Sequence, residues 1–183
     1  IQPGIEIAPV HEPLRAGDTT YLTVVDAERN AVSLIQSNYS GFGSGIVPEG
    51  AGFCLQNRGN LFSLDAEHPN AYAPGKRPFH TIIPGFVTRG GKPVFSFGVM
   101  GGDMQPQGHV QVLCNMIDFG MNVQEAGEAL RMEHKYTGST WEGPQKGKDI
   151  VTVERGFPQP LLESLSLRGH ELAVVRYNDG GFQ

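Results

Sequence analysis

The sequence predicts an α+β layered domain, and three observations carry that reading. Short apolar runs joined by turn residues come first, helix-period segments follow, and a strand, a helix and a strand close the chain.

Residues 1–16 are rich in proline and charge with little periodicity, and read as a linker. No apolar stretch reaches the length of a signal-peptide core or a membrane span. Gly17-Asp18 then turns into a strand-like run, Thr19-Thr20-Tyr21-Leu22-Thr23-Val24-Val25-Asp26. A hydroxyl at the first residue of a strand, just behind a turn, is exposed and rigidly aimed. That suits a nucleophile, and equally an ordinary edge strand, since threonine favours strands on steric grounds alone.

Thr20 to Asp26, a turn at Ala27 to Arg29, and Ala31 to Ser37 form a hairpin. Ser40 to Gly45 is a Gly/Ser segment, either a close-approach backbone or a flexible turn. Gly52 to Gln56 is expected as a short strand and Leu61 to Lys76 as a long loop. Thr81 to Val87 and Pro93 to Val99 flank Arg89-Gly90-Gly91 as a second hairpin that delivers the chain into Gly101-Gly102. Val110, Leu113, Cys114 and Ile117 recur at helical spacing, with Gly120 as a stop. Asn122 caps a helix from Val123 to Leu130. Ile150 to Val153 is a strand, Pro158 to Leu167 a helix with proline near its first turn, and Glu171 to Arg176 a final strand.

The 183 residues amount to one domain, and a net charge of -5 without a basic patch argues against nucleic acid as a partner. Cys54 and Cys114 sit among apolar neighbours, outside any metal or redox spacing, and are expected as buried free thiols. The histidines lack metal-ligand spacing, and the sequence holds no cofactor motif.

Four further segments follow the double threonine in order: Asn30-Ala31-Val32-Ser33, Gly41-Phe42-Gly43-Ser44-Gly45-Ile46, Gly75-Lys76-Arg77-Pro78-Phe79-His80-Thr81 and Gly101-Gly102-Asp103. With them the chain resembles the gamma-glutamyltransferase family from Gly17 to its C-terminal end. The resemblance implies an αββα four-layer sandwich of the N-terminal nucleophile hydrolase type, of which this chain supplies about half. It implies a longer proenzyme as well. Residues 1–18 would be the tail before the processing point, and 19–183 the small-subunit catalytic domain, truncated at its C-terminus. The large subunit of the same proenzyme is the implied partner, and an uncovered apolar face should follow from its absence. Neither nucleic acid nor membrane is implied by this chain.

A threonine hydroxyl needs a base close by, and cleavage before Thr19 would free an α-amino group suited to that task at neutral pH. Thr20 competes, but the family's nucleophile corresponds to the first threonine of such a pair. Gly101-Gly102 can present two successive N–H groups to an oxyanion, the role of the family's matching glycines, or can be a plain turn. Ser37 falls where the family places a hydroxyl that hydrogen-bonds the nucleophile; a solvent-facing strand serine is the alternative.

Substrate recognition departs from the family's pattern. Its transpeptidases hold the glutamyl ammonium with an Asn, a Gln or Glu, and an Asp, where this chain has Tyr39, Arg58 and Leu61. The family's serine pair becomes His80-Thr81. Arg58 can fork onto a carboxylate or lie on the surface of its loop. His80 can help bind a carboxylate or serve structurally. The expected activity is transfer of a gamma-glutamyl or similar acyl group from a small amide to water or an amine. A cephalosporin acylase-like or other dicarboxylate monoamide hydrolase is the alternative, and a catalytically silent relative the non-enzymatic one.

Overall fold

The computed structural model describes residues 19–136, 148–176 and 181–182. The linker expected at 1–18, with Asp18, lies outside them, as do Gly180 and Gln183. β1 (Thr20–Val25) and β2 (Ala31–Gln36) pair antiparallel, as do β3 (Gly85–Arg89) and β4 (Lys92–Phe97). Helices α1 (Met104–Ile117) and α2 (Val123–Glu128) follow. A three-stranded sheet then forms from β5 (Met132–Tyr136), β6 (Asp149–Glu154) and β7 (Glu171–Val175), with α3 (Gln159–Leu167) leading from β6 to its parallel neighbour β7.

Local chemistry explains both hairpins. At the first turn the Asp26 carboxylate accepts from Asn30 N and Nδ2, both at 2.7 Å, and Arg29 adopts φ 66°. The Asn30 side chain holds that carboxyl below its ordinary value. At the second turn Gly90 and Gly91 both have positive φ, 56° and 75°, the conformation a two-residue hairpin turn demands.

The hairpins pack on each other through the face of β1–β2 that carries Tyr21, Thr23, Ser33 and Ile35. Tyr21 Oη shares a hydrogen with Ser33 Oγ (2.9 Å), Ser33 Oγ donates to Gly85 O (2.8 Å), and Thr23 Oγ1 meets Ser96 Oγ (2.5 Å). A Cβ on Gly98 would overlap the Tyr21 ring, so this crossing requires a glycine. The opposite face pairs Leu22 with Leu34 and Val24 with Val32, and all four side chains are exposed. A small core of Val99, Val112 and Ala126 joins β4 to α1 and α2, with Phe182 packed against it. Val99 also bridges Phe182 antiparallel, and Met100 N donates to Gly181 O at 2.9 Å.

Several expectations are corrected. Gly52 to Gln56 is no strand: Leu55 makes lone backbone bonds to Ile46 and Ser44, and Gly52 sits at φ 70°, so no ladder propagates. α1 begins six residues before Val110, because Pro106 occupies the first helical turn, where its missing N–H costs nothing. Its buried face is Met104, Gln105, Gly108, His109 and Val112, while Val110 and Ile117 are exposed. Gly108 faces inward because Val99 occupies the space of a Cβ. β3 starts at Gly85 rather than at Thr81, and α2 stops at Glu128, capped by the reciprocal Asn122–Glu125 box. Cys54 and Cys114 are free but only half-buried. β5 lacked a predicted counterpart. Its charged residues conceal it, since Glu133 is buried and ion-paired to Lys135 at 3.0 Å.

The edge of β5 is covered in an unusual way. Gln107 Nε2 donates to His134 O (3.0 Å) while its Oε1 accepts from His134 N (2.8 Å). Gln111, one turn on, repeats the pattern with Met132 at 2.8 and 3.0 Å. Each carboxamide presents one donor and one acceptor, as a strand residue does.

Two outcomes follow in the full-length protein. Gln107→Ala with Gln111→Ala should lower unfolding free energy by about 1–3 kcal/mol in chemical denaturation, the net worth of exposed hydrogen bonds of this number. His109 lies against Phe97 with ring centroids 4.6 Å apart, and burial holds its pKa below the ordinary 6.5. The unfolded chain therefore takes up this proton first, so the stability contribution is intact above about pH 6.5 and lost as pH falls below it. His109→Leu should shrink the difference in melting temperature between pH 5.5 and 7.5.

Candidate active site

Thr19 immediately precedes β1 and is half-buried, whereas Thr20 is exposed. Thr20 pairs with Gln36, so one further step of the ladder sets Thr19 across from Ser37. Side chains alternate along a strand. Thr19 and Ser37 thus continue the Tyr21/Ile35 side, which faces the second hairpin, while Thr20 continues the exposed Leu22/Leu34 side. Tyr21 against Gly98 and Thr23 against Ser96 define an antiparallel course for β1 beside β4. Continued past Tyr21 and Gly98, that course runs toward Thr19 on one hairpin and toward Met100 and Gly101 on the other.

Beyond Ser37 the chain turns sharply. Ser37 Oγ accepts from Tyr39 N at 2.9 Å, and Tyr39 takes φ 81°, a conformation a bulky residue adopts only under constraint. The constraint comes from a second segment: Asn57 N donates to Asn38 O (3.1 Å), Ser40 N donates to Asn57 Oδ1 (3.2 Å), and the Arg58 guanidinium stacks 4.8 Å from the Tyr39 ring centroid. Arg58 opens a 3₁₀ turn, Arg58–Leu61, in which it and Leu61 are both buried. Arg58 is therefore not a surface arginine.

Asn70 ties this turn to the next segment. Its Nδ2 donates to Leu61 O at 2.6 Å, and its Oδ1 accepts from Phe79 N at 3.2 Å. His80 is exposed, whereas Thr81 is 2 % exposed and its Oγ1 has no hydrogen-bond partner among the described residues. Thr81 O in turn accepts from the Gln105 carboxamide, whose Nε2 spans Thr81 O (2.6 Å) and Val99 O (3.2 Å), the amide being oriented by those two carbonyls.

Gly101 and Gly102 have φ 107° and 57° and lead directly into α1. Their carbonyls accept from Met104 N and Gln105 N at 3.0 Å each, and their own N–H groups donate to no acceptor among the described residues. Successive N–H groups in such a turn, at the positive end of a helix, favour an anion.

One chain of contacts thus links Ser37, Tyr39, Arg58, Leu61, Phe79, Thr81 and Val99. Asn70 and Gln105, its connecting amides, were not singled out in the sequence; their partners are backbone groups of other segments that no local pattern reports. Cys114 is not poised as a thiolate, because its hydrogen bond to Asp118 raises its pKa. Among the described residues no cluster of His, Cys, Asp and Glu could hold a metal, and no helix is long and apolar enough to cross a membrane.

Residues 5–183 match the family profile described as Gamma-glutamyltranspeptidase. The glutathione hydrolase-like YwrD proenzyme of Bacillus subtilis is 42% identical over 86% of this chain, and the oxamate amidohydrolase proenzyme of Klebsiella pneumoniae 39% identical over 87%. The chain spans 29% of the length of each. Among solved structures, cephalosporin acylase from Bacillus halodurans is similar at 52% identity and TM-score 0.71, over 85% of this chain and 27% of that one. A Helicobacter pylori gamma-glutamyltranspeptidase mutant superposes with TM-score 0.73 at 27% identity, over 89% of this chain and 88% of that one. The fold is a partial region of the N-terminal nucleophile hydrolase fold of those enzymes, as the sequence led us to expect. The chain belongs to the gamma-glutamyltranspeptidase family.

Proposed function

We propose that this chain is the small-subunit catalytic region of an autoprocessed amidohydrolase or acyltransferase with Thr19 as N-terminal nucleophile. The observation that carries the reading is the shared side of Thr19 and Ser37, which faces the second hairpin, whose strand β4 leads through Val99 to Gly101-Gly102. The Thr19 hydroxyl adds to the amide carbonyl of the substrate while its proton passes to the Thr19 α-amino group, whose ordinary pKa is ~7.7–8.0. Gly101 and Gly102 N–H donate to the oxyanion, and Ser37 steadies the nucleophile. The C–N bond breaks, the departing amine takes the proton, and an ester to Thr19 remains. Water or an amine attacks that ester by the reverse proton path, releasing an acid or a new amide.

The same hydroxyl makes the enzyme. It adds to the Asp18 carbonyl, the C–N bond breaks as the acyl group shifts from nitrogen to oxygen, freeing the amine that later serves as base, and water hydrolyses the ester to return the hydroxyl and leave a carboxylate on Asp18. The partner is the large subunit cut from the same proenzyme. The exposed Leu22, Val24, Val32 and Leu34 face supports a cover of that kind.

For the substrate we propose a small amide whose acyl group carries a carboxylate without an α-ammonium. Arg58 is buried beside Tyr39, and Leu61 offers no acidic anchor, so an ammonium would meet like charge. His80 and the buried Thr81 hydroxyl complete the proposed pocket wall. Oxamate, for which the Klebsiella relative is named, is a dicarboxylate monoamide of this chemistry.

Mass spectrometry of the full-length protein should find a new chain beginning at Thr19. Thr19→Ala should abolish cleavage and turnover, whereas Thr20→Ala should leave cleavage detectable; a mature chain beginning at Thr20 would refute the assignment. Glutaryl anilide should be turned over at least as well as the gamma-glutamyl anilide. Opposite charges ~4 Å apart near a protein surface attract by ~4 kcal/mol before desolvation, and a quarter of that gives about a fivefold preference. Arg58→Gln with Leu61→Asp should move the kcat/KM ratio toward the gamma-glutamyl donor, and an unchanged ratio places Arg58 outside the pocket.

A further inference from the structure

We infer that Gln105 is a positioning residue that locks the Gly101-Gly102 donor pair to the His80-Thr81 wall, an inference that rests on the function proposed above for those residues. Gln105 is fully buried at the second position of α1. Through its side chain and its own backbone it joins three carbonyls, those of Thr81, Val99 and Gly102. Its N–H donates to Gly102 O (3.0 Å), and its carboxamide nitrogen donates to Val99 O (3.2 Å) and to Thr81 O (2.6 Å). Val99 lies two residues before Gly101, and Thr81 immediately follows His80. The glycine turn is therefore gripped from both ends by one residue, which also holds the opposing segment.

A carboxamide suits this task for a definite reason. Both partners are carbonyls, so the group must offer two hydrogens from one nitrogen, which a carboxylate cannot do and a thioether cannot attempt. Burial makes the loss costly, because the two carbonyls would be left without that donor away from water. The glycines themselves tolerate a range of φ. Their N–H directions are consequently set by what holds the flanking residues, and a shift of ~1 Å in a catalytic donor can cost on the order of 10²-fold in rate.

The test uses full-length processed protein with Gln105→Met and Gln105→Glu, assayed on glutaryl and gamma-glutamyl anilides. For Gln105→Met we expect kcat to fall about 10- to 100-fold with KM changed much less, since the donors act on the oxyanion and not on the ground-state amide. For Gln105→Glu the ratio of variant to wild-type kcat should rise as pH falls, because a protonated carboxyl regains one donated hydrogen bond. Hydrogen exchange supplies a readout independent of turnover: amides of the 79–81 and 101–105 segments should exchange faster together in Gln105→Met while β5–β6–β7 is unchanged. Should the wild type prove inactive on both anilides, the proposed function fails, and the exchange measurement alone decides for or against the lock. Unchanged kcat in Gln105→Met, a pH-independent ratio in Gln105→Glu, or exchange that rises everywhere or in neither segment would each overturn the positioning role.

Discussion

The seating of the Tyr21 ring on Gly98 is the contact on which the rest of this structure depends. It leaves no space for a Cβ, and it fixes β1 beside β4 in one antiparallel course. Everything placed by that course is non-local. The start of β1 supplies the threonines, the segment between β4 and α1 supplies the glycine pair, and they are separated by some eighty residues of chain. Neither hairpin could aim its end residue at the other without the lateral constraint, because a two-stranded ribbon alone is marginally stable and free to twist. The polar contacts alongside it, Thr23 with Ser96 and Ser33 with Gly85, specify the register where apolar packing alone would permit sliding.

The segment around Tyr39 and Arg58 is built on a different principle. Tyr39 is held at φ 81° by hydrogen bonds from both neighbouring segments and by the Arg58 guanidinium over its ring. A cation buried against an aromatic face keeps its charge while losing most of its water, so its field reaches farther than that of a surface arginine. Leu61, three residues on in the same 3₁₀ turn, is buried as well and carries no charge.

Both hairpins and the capped start of α2 were legible in the sequence because their determinants are local: alternation within a strand, paired glycines at a turn, an Asn–Glu box. α1 was half legible. Its period was visible, but its inner face carries Gln105, Gly108 and His109, so the apolar stripe Val110 and Ile117 marked the outer side. β5 was hidden by charge, since a buried Glu133 beside Lys135 resembles a solvated run until the ion pair is seen. In the candidate site, the ordered motifs pointed to Thr19, Ser37 and the glycine pair, but nothing in the string showed which way Thr19 and Thr20 face. The ladder does, because odd and even positions face opposite ways. Asn70 and Gln105 were beyond reach for the opposite reason: an amide's partners are set by which backbone groups come near it, and that is a property of the completed fold.

The paired glutamines of α1 give the three-stranded sheet a polarity. An open sheet ordinarily has two edges at which a strand can add, and both expose it to unwanted association. Here Gln107 and Gln111 occupy the outward groups of Met132 and His134, so a helix imitates the missing neighbour on one side. Addition of a further strand along Met132 and His134 is thereby blocked. The helix whose first residues border the glycine pair thus also closes this edge of the sheet.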